Sequence, residues 1–195
     1  MSGDVHVRFC ERLGGRFPGA TRLVICCRGT ATEAMAVMRR MMAQLKLQVN
    51  EDKTRLRRLP ADSIQFLGYQ IGRCHCRRTG RSYFGTRPSR QSIRRITRRI
   101  SDLTARRMML LDAEVVVGRL NRLLTGWGNY FYLGPVSQAY RAVDAHTRYR
   151  LRQWLRGKHK VASKGFHHYP DEYLYEHLGL VQLSTCTRNL PWAKA

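Results

Sequence analysis

Three apolar stripes at helical spacing run through residues 86–160, and arginine fills many of the positions between them. Ser89 follows Pro88 and is placed to cap the first helix. Each stripe gives its helix one face that must be buried against a neighbour, so this stretch is predicted to be a small all-helical domain. The stripes are Ile93, Ile96, Ile100 and Leu103; then, after Asp112, Val115, Val116, Leu120, Leu123 and Leu124; and then, from about 137 to 155, Tyr140, Val143, Leu151, Trp154 and Leu155.

The positive charge of the chain is concentrated in the same stretch. The whole chain has 36 lysines and arginines against 13 acidic residues, a net charge of +23, and residues 86–160 hold 17 and 4 of these. Like-charged arginines one turn apart, such as Arg90 and Arg94, destabilise an isolated helix, so this face needs an anionic partner. Guanidinium groups bind phosphate oxygens in pairs and stack on bases, which favours nucleic acid, and RNA in particular, over a membrane.

Composition and cysteine placement exclude several other classes of protein. The hydrophobic content of 43% is too high for a disordered basic tail. No apolar run is long enough to cross a membrane, and the N-terminus lacks the apolar core of a signal peptide. Cys26 and Cys27 are adjacent in an apolar run, which indicates a buried strand rather than a disulfide scaffold. We therefore expect a reducing, cytoplasmic location and no membrane partner.

The first 85 residues predict a smaller mixed unit, so the fold class is α+β with a boundary near residue 86. Residues 1–21 are poorly defined, with the end of a helix suggested over 7–13. A strand over 23–27 precedes a helix that a Thr30–Glu33 capping box opens. The face predicted to be buried on that helix is Ala34, Val37, Met38, Met41 and Leu45. Short antiparallel strands follow at 53–59, 64–71 and 82–85, the last two separated by a basic turn over 73–81.

The acidic residues and cysteines show no catalytic or metal-binding pattern. Two-metal phosphoryl transfer needs carboxylates within a few ångströms of each other, and no two of the seven aspartates are adjacent. Asp102 and Asp112 are assigned to a helix surface and a helix cap. The Cys74-His-Cys76 triplet has neither the spacing nor the matched second pair of a zinc site. We therefore predict no catalytic residues, no metal on the protein and no cofactor.

The segment from Asn121 to Gly134 mixes glycines with aromatic residues between two helical patterns. Trp127 and Phe131 are predicted to pack in the core, whereas Asn129, Tyr130 and Tyr132 are candidates for contact with a ligand. In a very basic chain, exposed aromatic rings beside arginines indicate a surface for nucleic acid.

Several motifs in order make the chain resemble the C-terminal part of a group II intron-encoded reverse transcriptase, the maturase family. Leu47–Thr54 is similar to the family's Leu-x-Leu-Asn-x-x-Lys-Thr, Phe66–Tyr69 to a Phe-Leu-Gly-Phe/Tyr strand of the palm, and Gly126–Phe131 to the Gly-Trp-x-Asn-Tyr-Phe of the thumb. Further similar segments are Tyr140–Asp144, Leu151–Leu155, Pro170–Leu174 and Pro191–Ala195. The resemblance implies a partial reverse-transcriptase palm over 22–86, an all-α thumb or X maturase-specific domain over 87–160, and a C-terminal tail with a short helix over 161–195.

The chain departs from this family at the metal-binding Tyr-Ala-Asp-Asp turn. Thr21-Arg22 runs directly into Leu23, so either four residues are missing after Arg22 or Pro18–Thr21 stands in their place. Both alignments remove the two aspartates, and the fingers and earlier palm would lie ahead of Met1. We therefore expect that the chain alone is not a polymerase.

The resemblance implies an RNA-binding, maturase-like protein of the bacterial cytoplasm that stabilises a folded group II intron, or a related ribozyme, for splicing, with Mg²⁺ on the RNA. Alternatives are a subunit of a split reverse transcriptase completed by a separate chain, and a degenerate retroelement fragment. DNA and a second copy of the chain also stay open as partners. The predicted RNA contacts are Lys53, Arg90, Arg94, Arg95, Arg98, Arg99, Asn129, Tyr130, Arg148, Arg150, Arg152, Arg156, Lys158, Lys160 and Lys164.

Overall fold

The structure, a computed structural model, describes residues 5–10, 22–27, 30–51, 54–59, 61–76, 79–162 and 167–186. The chain divides into two compact units, 1–85 and 86–195. It is mixed α/β, with small antiparallel sheets and several helices. The elements are β1 (Val5–Cys10), β2 (Arg22–Cys27), α1 (Ala31–Gln44), β3 (Arg55–Arg58), β4 (Ile64–Phe66), β5 (Tyr69–His75), β6 (Ser82–Pro88), α2 (Arg90–Leu103), α3 (Ala113–Tyr130), α4 (Ser137–His159) and α5 (Leu183–Cys186).

The central strand of the first sheet is β1, which the sequence analysis missed. It pairs antiparallel with β2 on one side and β3 on the other, so that Val5 lies opposite both Cys27 and Arg58. The helix end expected over 7–13 is therefore wrong for residues 7–10, and residues 11–13 lie outside the described part. Residues 5–9, Val-His-Val-Arg-Phe, alternate apolar and polar side chains, the two-residue period of a strand, so the signal was present in the sequence.

Helix α1 begins where expected but buries a different face. Thr30 occupies the N-cap, yet its side chain makes no capping hydrogen bond, so the predicted capping box is wrong. Met35 and Met38 are the buried side chains, and they pack with Ile25, Met42 and Val49. The predicted stripe is wrong at three of its positions: Val37, Met41 and Leu45 are 52%, 55% and 63% exposed.

The second sheet has the order β4-β5-β6. The single strand predicted over 64–71 is a hairpin instead, because Phe66 pairs with Tyr69 and leaves a two-residue loop. Leu67 and Gly68 both have positive φ, 47° and 83°, which is the backbone of a type I′ turn and matches the twist of antiparallel strands. Strand β5 continues to His75, so the basic turn before β6 is shorter than predicted.

In the second unit, α2, α3 and α4 pack around one hydrophobic core. Ser89 caps α2 as predicted, since its hydroxyl accepts a hydrogen bond from the Ser92 amide at 3.2 Å. The predicted α2 stripe is confirmed: Ile96 and Ile100 are buried, and Ile93 and Leu103 pack against the core partly exposed. Asp112 is the N-cap of α3, but it makes no side-chain capping bond. Helix α3 also runs on to Tyr130, so most of the aromatic–glycine segment is helical rather than a loop.

The segment after α4 joins this core. A π-helical turn over Tyr173–His177 stands in the tail where a short helix was predicted, and Gly179 ends it at a φ of 66°. Leu174, Leu180 and Leu183 are buried among the residues of the three long helices. Residues 169–183, which the sequence analysis assigned to a separate tail, therefore share the core of the helical unit.

Two side chains from the long helices fasten that segment. The Asn121 side chain donates to the Gly179 carbonyl at 2.7 Å and accepts from the Val181 amide at 2.8 Å. The buried Asp144 carboxylate accepts from the amides of Leu183 and Ser184, both at 2.9 Å. Because these amides open α5, Asp144 serves as a helix cap supplied by another element.

Candidate nucleic-acid interface

Five exposed arginines cover the side of α2 that faces away from the core: Arg90, Arg94, Arg95, Arg98 and Arg99. With 3.6 residues per turn, positions 90, 94 and 98 form one stripe on the side away from the buried positions 96 and 100. Positions 95 and 99 form a second stripe between that side and the core. No carboxylate among the described residues lies within salt-bridge distance of any of them. The face therefore carries concentrated charge without an internal counter-charge.

The last turn of α3 presents the predicted contact residues. Asn129 and Tyr130 are exposed, and the Tyr130 ring stands edge-on to Phe131 with centroids 4.7 Å apart. Phe131 is buried and Trp127 packs against the core partly exposed, in agreement with the prediction, and their ring centroids are 4.9 Å apart. The Tyr140 hydroxyl donates to carbonyl oxygens at the end of this helix, at 2.8 and 3.1 Å, and so fixes the turn that carries Asn129 and Tyr130.

Two cations of α4 that are predicted RNA contacts also bind backbone carbonyls within the fold. Arg150 donates to the carbonyls of Ser101 and Thr104, at 3.3 and 3.1 Å, where α2 ends. Lys158 donates to the carbonyls of Met109 and Leu111, at 3.2 and 2.6 Å. Positive groups at the carbonyl end of a helix stabilise it. These two side chains hold the connection between α2 and α3, and their contact with phosphates stays a prediction.

Arg148 and Arg152 are also bound internally, because both pair with Asp171. Arg152 is only 6% exposed and donates to the Tyr169 carbonyl at 2.8 Å as well. Burial raises the pKa of the Asp171 carboxyl, but hydrogen bonds and charge from the two arginines outweigh it, so the pKa lies below its ordinary value. The fold encloses the guanidinium of Arg152, and the phosphate contact of this residue stays a prediction.

The remaining predicted cations have mixed positions. Arg156 is partly buried, with a terminal nitrogen 3.5 Å from the Ala162 carbonyl oxygen. Lys160 is exposed and takes a left-handed conformation at the C-cap of α4, with a φ of 52°. Lys53 and Lys164 lie outside the described residues, so their predicted role stays a prediction.

A histidine between α2 and α4 adds a titratable group near the arginine face. His146 Nε2 lies 3.1 Å from the Thr97 carbonyl oxygen and 3.0 Å from the Ser101 hydroxyl. Burial lowers the pKa of His146; the Thr97 carbonyl opposes this, and the charge of Arg150 adds to it. The packing between α2 and α4 therefore favours the neutral form of the His146 ring.

The helices that carry these features match a known domain. The family model described as group II intron, maturase-specific domain matches residues 93–173, from the first turn of α2 to the start of the π-helical turn. This chain contains a group II intron maturase-specific domain. None of the curated proteins compared with the chain is similar enough to count as a relative.

Most of the exposed arginine face lies inside the maturase-specific domain. The match includes Arg94, Arg95, Arg98 and Arg99, and it also includes Asn129 and Tyr130. Arg90 lies just before it. The buried anchors of α4 and the Asp171 ion pairs fall within the match too, so the domain contains both the exposed cations and the internal ones.

The described residues contain no cluster of potential metal ligands, either inside or outside this domain. Across the described ranges, no three histidine, cysteine or acidic side chains converge as a metal site would require. Asp102 and Asp112 are exposed, and Asp144 is used as a cap. Cys74 and Cys186 are free thiols. No described helix combines the length and the apolarity needed to cross a membrane.

Sequence reasoning missed a second group of arginines. Arg107, Arg119 and Arg122 line a groove of about 410 Å³ between the end of α2, the 3₁₀ turn Arg106–Met108 and α3. The signal was an Arg-Arg pair between two helices and an arginine pair three residues apart on the next helix. Only the packing of α2 against α3 brings these positions to one groove, so the sequence alone did not connect them.

Proposed function

We propose that this protein binds folded group II intron RNA through the exposed arginines of its maturase-specific domain and so favours the splicing-active RNA fold. The observation that carries the proposal is the α2 face, five exposed arginines without a carboxylate partner among the described residues. A polyanion supplies the missing counter-charge, and binding releases counterions from the phosphates. Tighter binding to the compact RNA than to its unfolded forms stabilises the compact RNA by mass action.

The specificity of this binding is expected to come from RNA shape. Arginine contacts to phosphates position a protein but carry little sequence information. Asn129 and Tyr130 add a hydrogen-bonding group and an aromatic ring at the end of α3. An exposed ring of this kind can stack on an unpaired base, which a folded intron offers in its loops.

The test is a filter-binding titration over a range of salt concentrations, with a group II intron transcript and a scrambled RNA of equal length. The proposal expects a steep fall in affinity with salt and tighter binding to the intron transcript at physiological salt. A flat salt response, or equal affinity for both RNAs at physiological salt, would reject the proposal. A splicing assay at limiting Mg²⁺ then measures whether the protein raises the fraction of spliced transcript.

We also propose that the first unit corresponds to the end of a reverse-transcriptase palm, that the helical unit corresponds to the thumb, and that the chain alone does not polymerise. The RNA, with its own Mg²⁺, would carry out the splicing chemistry. The described carboxylates support this view, because they are exposed singly or serve as caps and ion-pair partners. Primer extension by the purified chain on an RNA template would contradict it.

One observation favours a second candidate, a subunit of a split reverse transcriptase. Val37 and Met41 on α1 and Leu45 at its C-cap form an exposed apolar stripe, one turn apart. Exposed apolar stripes of this kind mark protein–protein contacts. If a separate chain with fingers and the missing aspartates copurifies with this protein and the mixture extends primers, the second candidate replaces the first.

A further inference from the structure

The groove between α2 and α3 has the shape and charge of a binding site for phosphates. Its floor is apolar and its rim is cationic. Three elements contribute to it: the end of α2, the 3₁₀ turn and the middle of α3. The lining residues are Arg99, Asp102, Leu103, Arg107, Met108, Arg119, Arg122 and Leu123, around a volume of about 410 Å³.

The four groove arginines outnumber the acidic side chains of the groove. Arg99, Arg107, Arg119 and Arg122 are exposed, and none forms a salt bridge with a described residue. Arg122 makes one long hydrogen bond, 3.4 Å from its Nε to the Gly118 carbonyl. Asp102 is the single carboxylate in the lining. Four cations and one anion leave a net charge of three positive units in one concave surface, which favours an anion strongly.

Two side chains of α4 fix the 3₁₀ turn that forms one side of this groove. Arg150 binds the carbonyls of Ser101 and Thr104, directly before the turn that bears Arg107. Lys158 binds the carbonyls of Met109 and Leu111, directly after it. A turn fixed at both ends presents its arginine with less loss of conformational freedom on binding, which raises affinity.

The floor distinguishes this site from the open face of α2. Leu103, Met108 and Leu123 are partly buried and pack against the hydrophobic core. Arginines above an apolar floor suit a ligand with phosphates on one edge and carbon atoms on the other. A sugar–phosphate backbone has that character, whereas a free inorganic anion would leave the floor unused.

We propose that this groove seats a stretch of RNA sugar–phosphate backbone, with its phosphates on Arg107, Arg119 and Arg122 and its riboses over the apolar floor. The proposal rests on the proposed function, since the maturase-specific domain points to RNA as the polyanion. The groove is then a second RNA-binding surface beside the α2 face, and Arg99 belongs to both surfaces. Bound RNA then contacts two sides of the helical unit rather than one helix.

The direct test measures how reactive single arginines are toward phenylglyoxal, by mass spectrometry, with and without a group II intron transcript. Arg107 and Arg119 are expected to be protected by the RNA, whereas Arg40, exposed on α1, keeps its reactivity. If the intron transcript binds with a steep salt dependence but leaves Arg107 and Arg119 as reactive as in the free protein, the groove proposal fails and the proposed function stands. If the transcript does not bind, both fail.

A matched pair of double variants supports the same distinction. Arg107→Gln with Arg119→Gln is expected to lower the slope of log affinity against log salt by about two, because two phosphates would then have no arginine to bind them. Arg40→Gln with Arg141→Gln removes the same charge from exposed positions outside the groove and is expected to change the slope less. Equal slopes for the two double variants would overturn the proposal. Equal protection of the groove by duplex DNA of the same length would overturn its assignment to RNA.

Discussion

Replacing Arg94 by Gln should move protein stability and RNA affinity in opposite directions. Arg94 stands one turn from both Arg90 and Arg98, so it takes part in two like-charge pairs. Each such pair destabilises a helix by roughly 0.2–0.5 kcal/mol. Removing both should raise the free energy of unfolding by about 0.4–1 kcal/mol at low salt. The apolar side of α2 is untouched, because Arg94 is exposed and opposite the buried positions.

The same substitution should remove one phosphate contact from the complex. One contact fewer lowers the slope of log affinity against log salt by about one. Between about 50 and 200 mM salt, wild-type protein should therefore lose about fourfold more affinity for intron RNA than the variant does. Urea unfolding measures the first effect, and filter binding at several salt concentrations measures the second.

Arg40→Gln is the matched control, since it removes the same charge from an exposed position on α1. It should leave the salt slope close to that of wild type. Two results would refute the reasoning: a slope for Arg94→Gln that equals the control, or an Arg94→Gln protein that is less stable than wild type. The first would remove α2 from the RNA interface, and the second would mean that Arg94 has a structural role.

Three further substitutions test other parts of the helical unit. Asp144→Ala leaves two amides at the start of α5 without their acceptor and should cost about 2–3 kcal/mol in urea unfolding; Asp102→Ala, at an exposed carboxylate, is the control, and equal midpoints would contradict the assignment. Gly126→Ala should stabilise α3 by about 0.5–1 kcal/mol, because a Cβ there meets no described atom within 4 Å; a lower melting temperature would count against it. Burial lowers the pKa of His146 in the folded state, so the unfolded protein binds more protons at this residue. The stabilising contribution of His146 is therefore complete above the unfolded pKa of about 6.5 and declines as the pH falls below that value. The difference in melting temperature between wild type and His146→Gln should shrink on acidification, and a constant difference would exclude this role.

The parts of the fold that the sequence predicted well are those with a strong period and a local cap. The α2 stripe and the Ser89 cap are both observed, because the apolar spacing and the capping hydroxyl are properties of one short segment. Predictions failed where tertiary packing or turn geometry decided. Helix α1 buries Met35 together with the expected Met38 and leaves Val37 and Met41 exposed. The Leu67-Gly68 turn divides a predicted strand in two.

The candidate interface also contains features that the sequence predicted and features that only the packing of the helices determines. Exposure of the α2 arginines could be predicted from their spacing, since they lie outside the apolar stripe. The internal roles of Arg150 and Lys158 could not, because their carbonyl partners lie between 46 and 49 residues away in sequence. An arginine on a helix gives the same pattern in the sequence whether it reaches a phosphate or the end of a neighbouring helix. Only the crossing of α4 over the α2–α3 connection decides between these roles.

The attachment of residues 179–184 to Asn121 and Asp144 has a consequence for synthesis on the ribosome. These partners are separated by up to 60 residues, so α2 and α3 leave the exit tunnel well before the segment that completes their core. Until Leu180 and Leu183 have left the ribosome, the nascent chain exposes the arginines of α2 while the hydrophobic core beneath them is incomplete. C-terminal tags, fusions and truncations should therefore be placed beyond residue 186, so that the protein retains Leu180 and Leu183.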